Sequence, residues 1–166
     1  MTGDVIAAMI EYYKGDVARI NHFLKVFAFA KSIGEREGLD SALQEILEVA
    51  AVTHDIGIKP SEQKYNSAAG KYQELEGPPV AREMLTGLGY APEIVKRVCY
   101  LIGRHHTYHG IDGLDYQILV EADFLVNLHE HQSGLDEVCS VREKIFRTKT
   151  GLEFLDRVFL CPSSGV

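Results

Sequence analysis

The chain has 166 residues, of which 46% are hydrophobic and 25% are charged, and its formal net charge at pH 7 is −7. This length suits one domain with a hydrophobic core, and the composition is that of a globular protein rather than a disordered one. Because affinity for a polyphosphate backbone comes largely from Lys and Arg, the acidic balance argues against a nucleic-acid polymer as partner. A small phosphorylated molecule remains compatible with the chain, since a few local basic residues could hold it.

Neither a membrane segment nor a targeting signal is evident in the sequence. The apolar stretch at residues 26–30 is far shorter than the roughly 20 residues that a spanning helix needs, and residues 1–10 lack the basic start of a signal peptide. The cysteines are odd in number and widely spaced, which is typical of neither a disulfide framework nor a zinc site. They are Cys99, Cys139 and Cys161. We therefore expect reduced thiols, a cytoplasmic location and no membrane partner, with a homodimer left open.

Helical periodicity dominates the first part of the chain. Asp16 can cap a helix that runs to about Glu37, where Gly38 provides a stop. Within this helix, apolar residues recur at three- and four-residue spacing, as a buried helical face requires. Asp40 can cap a second helix, which ends near Gly57.

The stretch that follows is polar and contains residues typical of loops. Pro60 opposes continuation of the preceding helix, so residues 59–74 are interpreted as a connecting segment or a lid. Pro78 and Pro79 fit the first turn of a helix better than its middle, which predicts a helix from there to Thr86.

Four further helices complete the prediction. They cover residues 92–104, 116–128, 135–147 and 152–159. No strand alternation and no internal repeat is found. The sequence therefore predicts an all-α protein, a single-domain helical bundle.

Four polar features interrupt the apolar helix faces. They are His22 in the first long helix, His54-Asp55 at the end of the second, His105-His106 at the end of a later one, and Asp123 in an otherwise apolar helix. Each has an ordinary explanation, such as a hydrogen-bonded core histidine or a histidine at a solvated helix end. An unpaired carboxylate at Asp123 would, however, carry a heavy desolvation cost. One bound cation removes that cost and accounts for all four features.

The types of side chain also indicate which cation would bind. Imidazole and carboxylate together suit divalent iron, manganese, nickel, cobalt or zinc. Two adjacent residues cannot share a face in the middle of a helix, but at a helix end His54 and Asp55 can both turn toward one ion. Such an ion lowers the pKa of bound water and so favours hydrolysis near neutral pH.

The order His22, then His54-Asp55, then Asp123 resembles the signature of the HD superfamily of metal-dependent phosphohydrolases. The resemblance extends over about residues 16–130. It implies a helical core with a metal at its centre and these four residues as ligands. It also implies a single HD domain over residues 1–166, with that core and with C-terminal helices at about 135–160 packing on it.

The stretch from Gln73 to Glu83, together with the later His105-His106, resembles the binuclear branch of the same superfamily. This resemblance implies a second ion. That branch places one ligand at a histidine after a helix, which corresponds to His106 here, with His105 as the less favoured register. It places another, commonly a histidine, just before a helix start, where this chain has no histidine. Gln73, Glu74 or Glu76 would then have to serve, and Glu76 is favoured because a carboxylate is the better ligand. Asp55 would bridge the two ions.

Branches of the superfamily that act on nucleoside monophosphates or guanosine polyphosphates often carry an acidic residue soon after the His-Asp pair. Here Ile56-Gly57-Ile58-Lys59 follows, so the chain does not resemble those branches at that position. Basic residues remain candidates to bind phosphate oxygens, and tyrosines are candidates to stack on a base. The basic candidates are Lys59, Lys64, Lys71 and Arg104, and the aromatic ones are Tyr65, Tyr72 and Tyr108.

From these features we expect hydrolysis of a phosphoester or phosphoanhydride in a small nucleotide-like metabolite, with one or two divalent ions per chain. Asp55 and His106 are the expected catalytic residues beside the metal, and Lys59 and Arg104 are expected to neutralise developing charge. Two alternatives stay open. One is a binuclear-iron oxygenase, which the superfamily also contains, and the other is a noncatalytic metal-dependent module that senses a ligand.

Overall fold

The computed structural model describes residues 1–159, and these form nine α-helices and no strand. The helices are α1 (Thr2–Tyr12), α2 (Val17–Glu37), α3 (Ser41–Thr53), α4 (Ile58–Tyr65), α5 (Gly70–Gly87), α6 (Pro92–Ile102), α7 (Leu114–Glu130), α8 (Leu135–Lys144) and α9 (Lys149–Phe159). The all-α prediction is confirmed. Cys161 and the last residue of the predicted segment 135–160 lie outside the described residues.

The caps of the two long N-terminal helices follow the local signals in the sequence. The Asp16 side chain accepts a hydrogen bond from the Arg19 backbone N–H at the start of α2, and Gly38 ends that helix with a φ of 78°. The Asp40 side chain accepts from the Leu43 N–H at the start of α3. These contacts satisfy backbone groups that a helix end leaves unpaired, so both predicted starts are confirmed.

The interpretation of residues 59–74 as a connecting segment or lid is wrong for most of that stretch. Helix α4 starts at Ile58, and α5 starts at Gly70 and continues through Pro78 and Pro79. The predicted helix start at these prolines is therefore also wrong.

Close packing explains why α5 continues through its two prolines. A Cβ atom on Gly57 would lie 2.5 Å from the Gln73 carbonyl oxygen, and one on Gly77 would lie 2.6 Å from a methyl carbon of Ile102. Helix α5 therefore lies directly against the turn between α3 and α4 and against α6. This tertiary contact favours the helical conformation at a position where proline removes backbone donors.

The helix α1 was not predicted from the sequence. It buries Val5 and Met9, and the following Tyr13 is also buried. The helix packs against α3, so it lies beside the helix end that carries His54. As a result, the residues before α2 contribute to the surroundings of the candidate site.

The core is centred on α7, which packs against α2 and α3. Eleven of its residues are buried, including the ionisable Asp115, Glu121 and Asp123. Helix α9 packs against α2 and α7. Within residues 1–159, no helix combines the length and apolar character needed to cross a membrane. The place where α2, α3 and α7 meet is the place where the predicted ligands converge.

Candidate metal centre

Three side chains from three different helices meet in the core, and we call them the first group: His22, His54 and Asp123. The His22 Nε2 lies 3.2 Å from the His54 Nε2 and 3.2 Å from an oxygen of Asp123. All three residues are buried. Their ligand atoms lie within 4.8 Å of one another, which is close enough to share one cation.

The remaining ring nitrogens determine which atoms face this space. The Nδ1 of His54 donates to the Ala51 carbonyl at 2.8 Å, and the Nδ1 of His22 donates to the Glu130 carboxylate at 2.9 Å. With a proton on each Nδ1, both Nε2 atoms are available to a cation, as is usual for metal-binding histidine. Asn127 donates to an oxygen of Asp123 at 2.9 Å and so fixes that carboxylate.

The electrostatics of the first group favour positive charge. Burial opposes the charged form of His54, but the neighbouring Asp55 and Asp123 carboxylates raise the pKa of His54 well above its usual value. Burial likewise opposes ionisation of Asp123, but hydrogen bonds from His22 and His54 hold the pKa of Asp123 well below its usual range. A site that stabilises protons on buried imidazoles in this way is also suited to a divalent cation.

Asp55 follows His54 directly and faces two sets of ligands. Its Oδ2 lies 3.2 Å from the His22 Nε2 and 3.3 Å from the His54 Nε2, whereas its Oδ1 lies 3.4 Å from the His105 Nε2. The turn after α3 makes this possible, because the Ile56 N–H bonds to the Thr53 carbonyl rather than continuing the α-helix. The two carboxylate oxygens therefore point to different positions.

Two tyrosines that follow one another at the end of α1 hold this turn. The Tyr13 hydroxyl donates to the Asp55 carbonyl at 2.7 Å, and the Tyr12 hydroxyl donates to the Ile56 carbonyl at 3.1 Å. Tyr13 is buried, and burial of its hydroxyl raises the pKa of Tyr13 above its ordinary value. The side chain is therefore a neutral donor, which keeps the His54-Asp55 turn in place.

We call Asp55, His105 and His106 the second group, because they also bring ligand atoms within 4.8 Å of one another. The His105 side chain is completely buried, and its Nδ1 donates to the Ile102 carbonyl at 2.8 Å. Its Nε2 is buried and has no hydrogen-bond partner among the described residues. His105, which the sequence analysis gave as the less favoured ligand, therefore lies at the site together with His106.

Gln73 occupies the position where a further ligand was expected. Its Oε1 lies 3.1 Å from the His106 Nε2, and its Nε2 donates to the Ala68 carbonyl. Residue 73 therefore contacts the second group through the His106 Nε2. Burial, with a smaller effect of His105, lowers the pKa of His106 to about 4, so the ring is neutral near pH 7, as a ligand must be.

The structure does not bring Glu76 to either group, which contradicts the preference for it. Its carboxylate accepts hydrogen bonds from Lys64 at 2.6 Å and from Tyr65 at 2.8 Å, so it joins α4 to α5. Glu74 accepts hydrogen bonds from the backbone N–H of His106 and the hydroxyl of Thr107. It therefore supports the loop backbone.

The predicted basic residues also lie elsewhere. Lys59 donates to the Tyr12 carbonyl and lies over the Tyr12 ring, and the exposed Arg104 lies over the ring of Tyr100. Neither residue lines the cleft at the two groups as the structure describes it. The assignment of both to charge neutralisation stays a prediction, and in this arrangement their side chains contact Tyr12 and Tyr100 instead.

The other phosphate and base candidates have partners as well. Lys64 pairs with Glu76, and Lys71 lies over the ring of Tyr72. Tyr65 and Tyr72 stack on each other, and Tyr108 packs against Phe124. None of these five candidates is among the described residues that line the cleft.

A cleft of about 410 Å³ opens onto both groups. Besides residues of the two groups, its lining includes Arg19, Gln73, Asn127, Glu130 and His131. The Arg19 guanidinium bonds to Asp16 and to Glu62, so it lies between α2 and α4 at the cleft. Helical spacing from known candidates could have indicated these residues, because Arg19 precedes His22 by one turn and Asn127 follows Asp123 by one turn.

The donor set fits divalent metal ions. Buried imidazole nitrogens and carboxylate oxygens converge in the first group. The second group contains the His105 Nε2, which has no hydrogen bond among the described residues and lies 3.4 Å from the Asp55 Oδ1. A buried nitrogen without a hydrogen bond is costly in a protein core, and a cation bound between it and Asp55 would satisfy it.

Comparison with known proteins identifies a family and a similar fold. The family model of the HD domain matches residues 19–144 of the chain. The fold is similar to the crystal structure of a protein described as a predicted HD superfamily hydrolase, from an uncultured Thermotogales bacterium. The TM-score is 0.69 at 24% identity, over 93% of this chain and 82% of that one. No curated protein matches the chain.

Proposed function

Since the chain belongs to the HD-domain family, we propose that it is a metal-dependent phosphohydrolase that cleaves a phosphoester or phosphoanhydride of a small, nucleotide-like metabolite. The observation that carries the proposal is the convergence of His22, His54 and Asp123 from three helices, with Asp55 directed at them. Such a set of buried acids and imidazoles is typical of a site for catalysis rather than of a helical core.

Each group of ligands would hold one cation. The first cation would be bound by His22, His54, Asp123 and the Oδ2 of Asp55. The second would be bound by the Oδ1 of Asp55, His105 and His106. The metal is one of divalent iron, manganese, nickel, cobalt or zinc, given the mixed nitrogen and oxygen donors. When bound, such cations lower the pKa of water and compensate the charge on phosphoryl oxygens.

The remaining residues at the cleft would bind and orient the substrate. Arg19 offers a guanidinium suited to two phosphate oxygens, provided that it exchanges its contact with Glu62 for the substrate. His131 lies at the exposed side of the cleft and offers a further polar contact. Asn127 keeps the Asp123 carboxylate oriented through its amide hydrogen bond.

The test is hydrolysis of a panel of nucleotides and simple phosphate esters by protein loaded with manganese, iron, nickel or cobalt. We expect release of phosphate or of a nucleotide product from at least one substrate, and none from the Asp123→Ala variant. A null result over the whole panel with every metal would contradict the proposal. Oxygen consumption that depends on iron would then favour the oxygenase, and retained metal without any turnover would favour the sensing module.

A further inference from the structure

Glu130, the last residue of α7, lies against the ligand candidate His22. Its Oε2 accepts a hydrogen bond from the His22 Nδ1 at 2.9 Å, and its Oε1 lies 3.6 Å from the Lys25 ammonium. We propose that Glu130 is a positioning residue, which directs the Nε2 of His22 toward the first cation and strengthens the binding of that cation. The inference rests on the proposed metal-dependent function and adds a residue to it.

The buried histidines of the site differ in what holds their Nδ1 protons. His54 and His105 each donate to a backbone carbonyl three residues earlier, at 2.8 Å in both cases. Their orientation therefore depends on the helix to which they belong. His22 instead donates to an acidic side chain from another helix, and a carboxylate partner makes the opposite ring nitrogen a stronger donor to a metal.

The spacing on α7 explains how one helix can hold both sides of the His22 ring. Asp123 and Glu130 are seven residues apart and so lie on the same helical face, two turns from each other. Asp123 approaches the Nε2 of His22 at 3.2 Å while Glu130 contacts the Nδ1. The ring is thus fixed between two carboxylates, of which one is a ligand candidate and the other is not.

An ordinary surface ion pair is the alternative explanation for Glu130, and such pairs contribute little to stability. Its geometry differs from that of a freely exposed pair, because the Glu130 side chain is 29% exposed and that of His22 is 10% exposed. Both oxygens of Glu130 have partners on α2, which are Lys25 and His22. This arrangement restricts the rotation of the carboxylate and therefore of the imidazole.

The experiment measures the dissociation constant for Mn²⁺ by titration calorimetry on metal-free protein. We expect Glu130→Ala to weaken binding by about 10- to 100-fold, the range for loss of a partner of a metal ligand. Glu130→Gln keeps an acceptor oxygen but loses the charge, so we expect a smaller loss. Glu137→Gln removes one negative charge from an exposed position on α8 and should leave the constant unchanged.

A second measurement reports on His22 itself. In protein loaded with diamagnetic Zn²⁺, proton NMR detects imidazole N–H groups that hydrogen bonds protect from exchange. We expect Glu130→Ala to remove the His22 signal and to retain those of His54 and His105. Circular dichroism and thermal unfolding of the metal-free variants check that the helices are intact.

The outcomes separate this inference from the proposed function. If the wild-type protein binds none of the tested cations, both are overturned. If it binds Mn²⁺ and both Glu130 variants bind as tightly as the wild type, the role of Glu130 is wrong while the metal-dependent function stands. An equal loss in Glu137→Gln would show an effect of net charge alone and would also overturn this inference.

Discussion

The two ligand groups that meet at Asp55 are built differently. The first group takes its residues from α2, the end of α3 and α7, which are packed together at the centre of the core. The second group takes both histidines from the loop after α6, and the neighbouring position holds Gln73, whose side chain is a weaker ligand than histidine. From this difference we expect the first group to bind its cation more tightly than the second.

The largest expected effect comes from removing a ligand of the first group. In Asp123→Ala or His54→Ala we expect cation affinity to fall by more than about 100-fold, beyond the range for loss of an indirect partner. Turnover should fall to background while the protein remains helical. Metal analysis after gel filtration and circular dichroism measure the two properties.

Matched controls for these variants lie on the surface. Asp136→Ala and His109→Ala remove the same types of side chain from exposed positions and should keep metal and turnover. Full metal content and full turnover in Asp123→Ala would contradict the assignment of the first group.

The second prediction concerns the number of ions. His106→Ala should reduce the metal content from about two to about one per chain. It should also lower turnover sharply, because two ions together stabilise the attacking and leaving oxygens. Anomalous scattering at a metal edge would locate the ions in crystals of the wild type. A single fully occupied peak between His54 and Asp123 would rule out a second ion, and His106 would then at most contact substrate.

The comparison also explains which parts of the site could be predicted from the sequence. His22, His54 and Asp123 stand out because each is polar within an apolar helical pattern, and the structure brings them together. Glu130 and Arg19 could not be found in this way, because charged residues near helix ends are ordinary. Helical spacing from His22 and Asp123 indicates the faces on which they lie, but their contacts depend on how α2, α4 and α7 pack.

The helix boundaries of α4 and α5 were predicted wrongly because they too depend on tertiary contacts. Proline is a strong local signal for a helix start, and this rule placed a boundary at Pro78. The close approach of Gly57 and Gly77 is a tertiary contact that favours a continuous helix there. Glu76 therefore lies within α5, where its carboxylate bonds to Lys64 and Tyr65 of α4 rather than facing either group.

A third substitution should raise the cation affinity of the second group. Gln73→His would place an imidazole beside His106, in a position that now holds an amide oxygen. We expect affinity for the second cation to rise by roughly tenfold, which corresponds to about 1.4 kcal/mol. Titration with Mn²⁺ would resolve the two binding steps. Gln63→His adds the same side chain at an exposed position of α4 and should change neither step, whereas an unchanged second step in Gln73→His would show that residue 73 does not face a cation.

The smallest expected effect tests how the bridging carboxylate is held. Tyr13→Phe keeps the buried ring but removes the hydroxyl that donates to the Asp55 carbonyl at 2.7 Å. We expect the free energy of unfolding to fall by about 0.5–1.5 kcal/mol, as for loss of one hydrogen bond. Because this hydrogen bond fixes the turn from which Asp55 reaches both groups, binding of both cations should weaken together, by less than in Asp123→Ala. Tyr108→Phe removes a hydroxyl from a tyrosine that is 42% exposed and serves as the control for calorimetry and denaturant unfolding. Weakening of one cation alone in Tyr13→Phe would show that the two groups do not depend on a common position of Asp55.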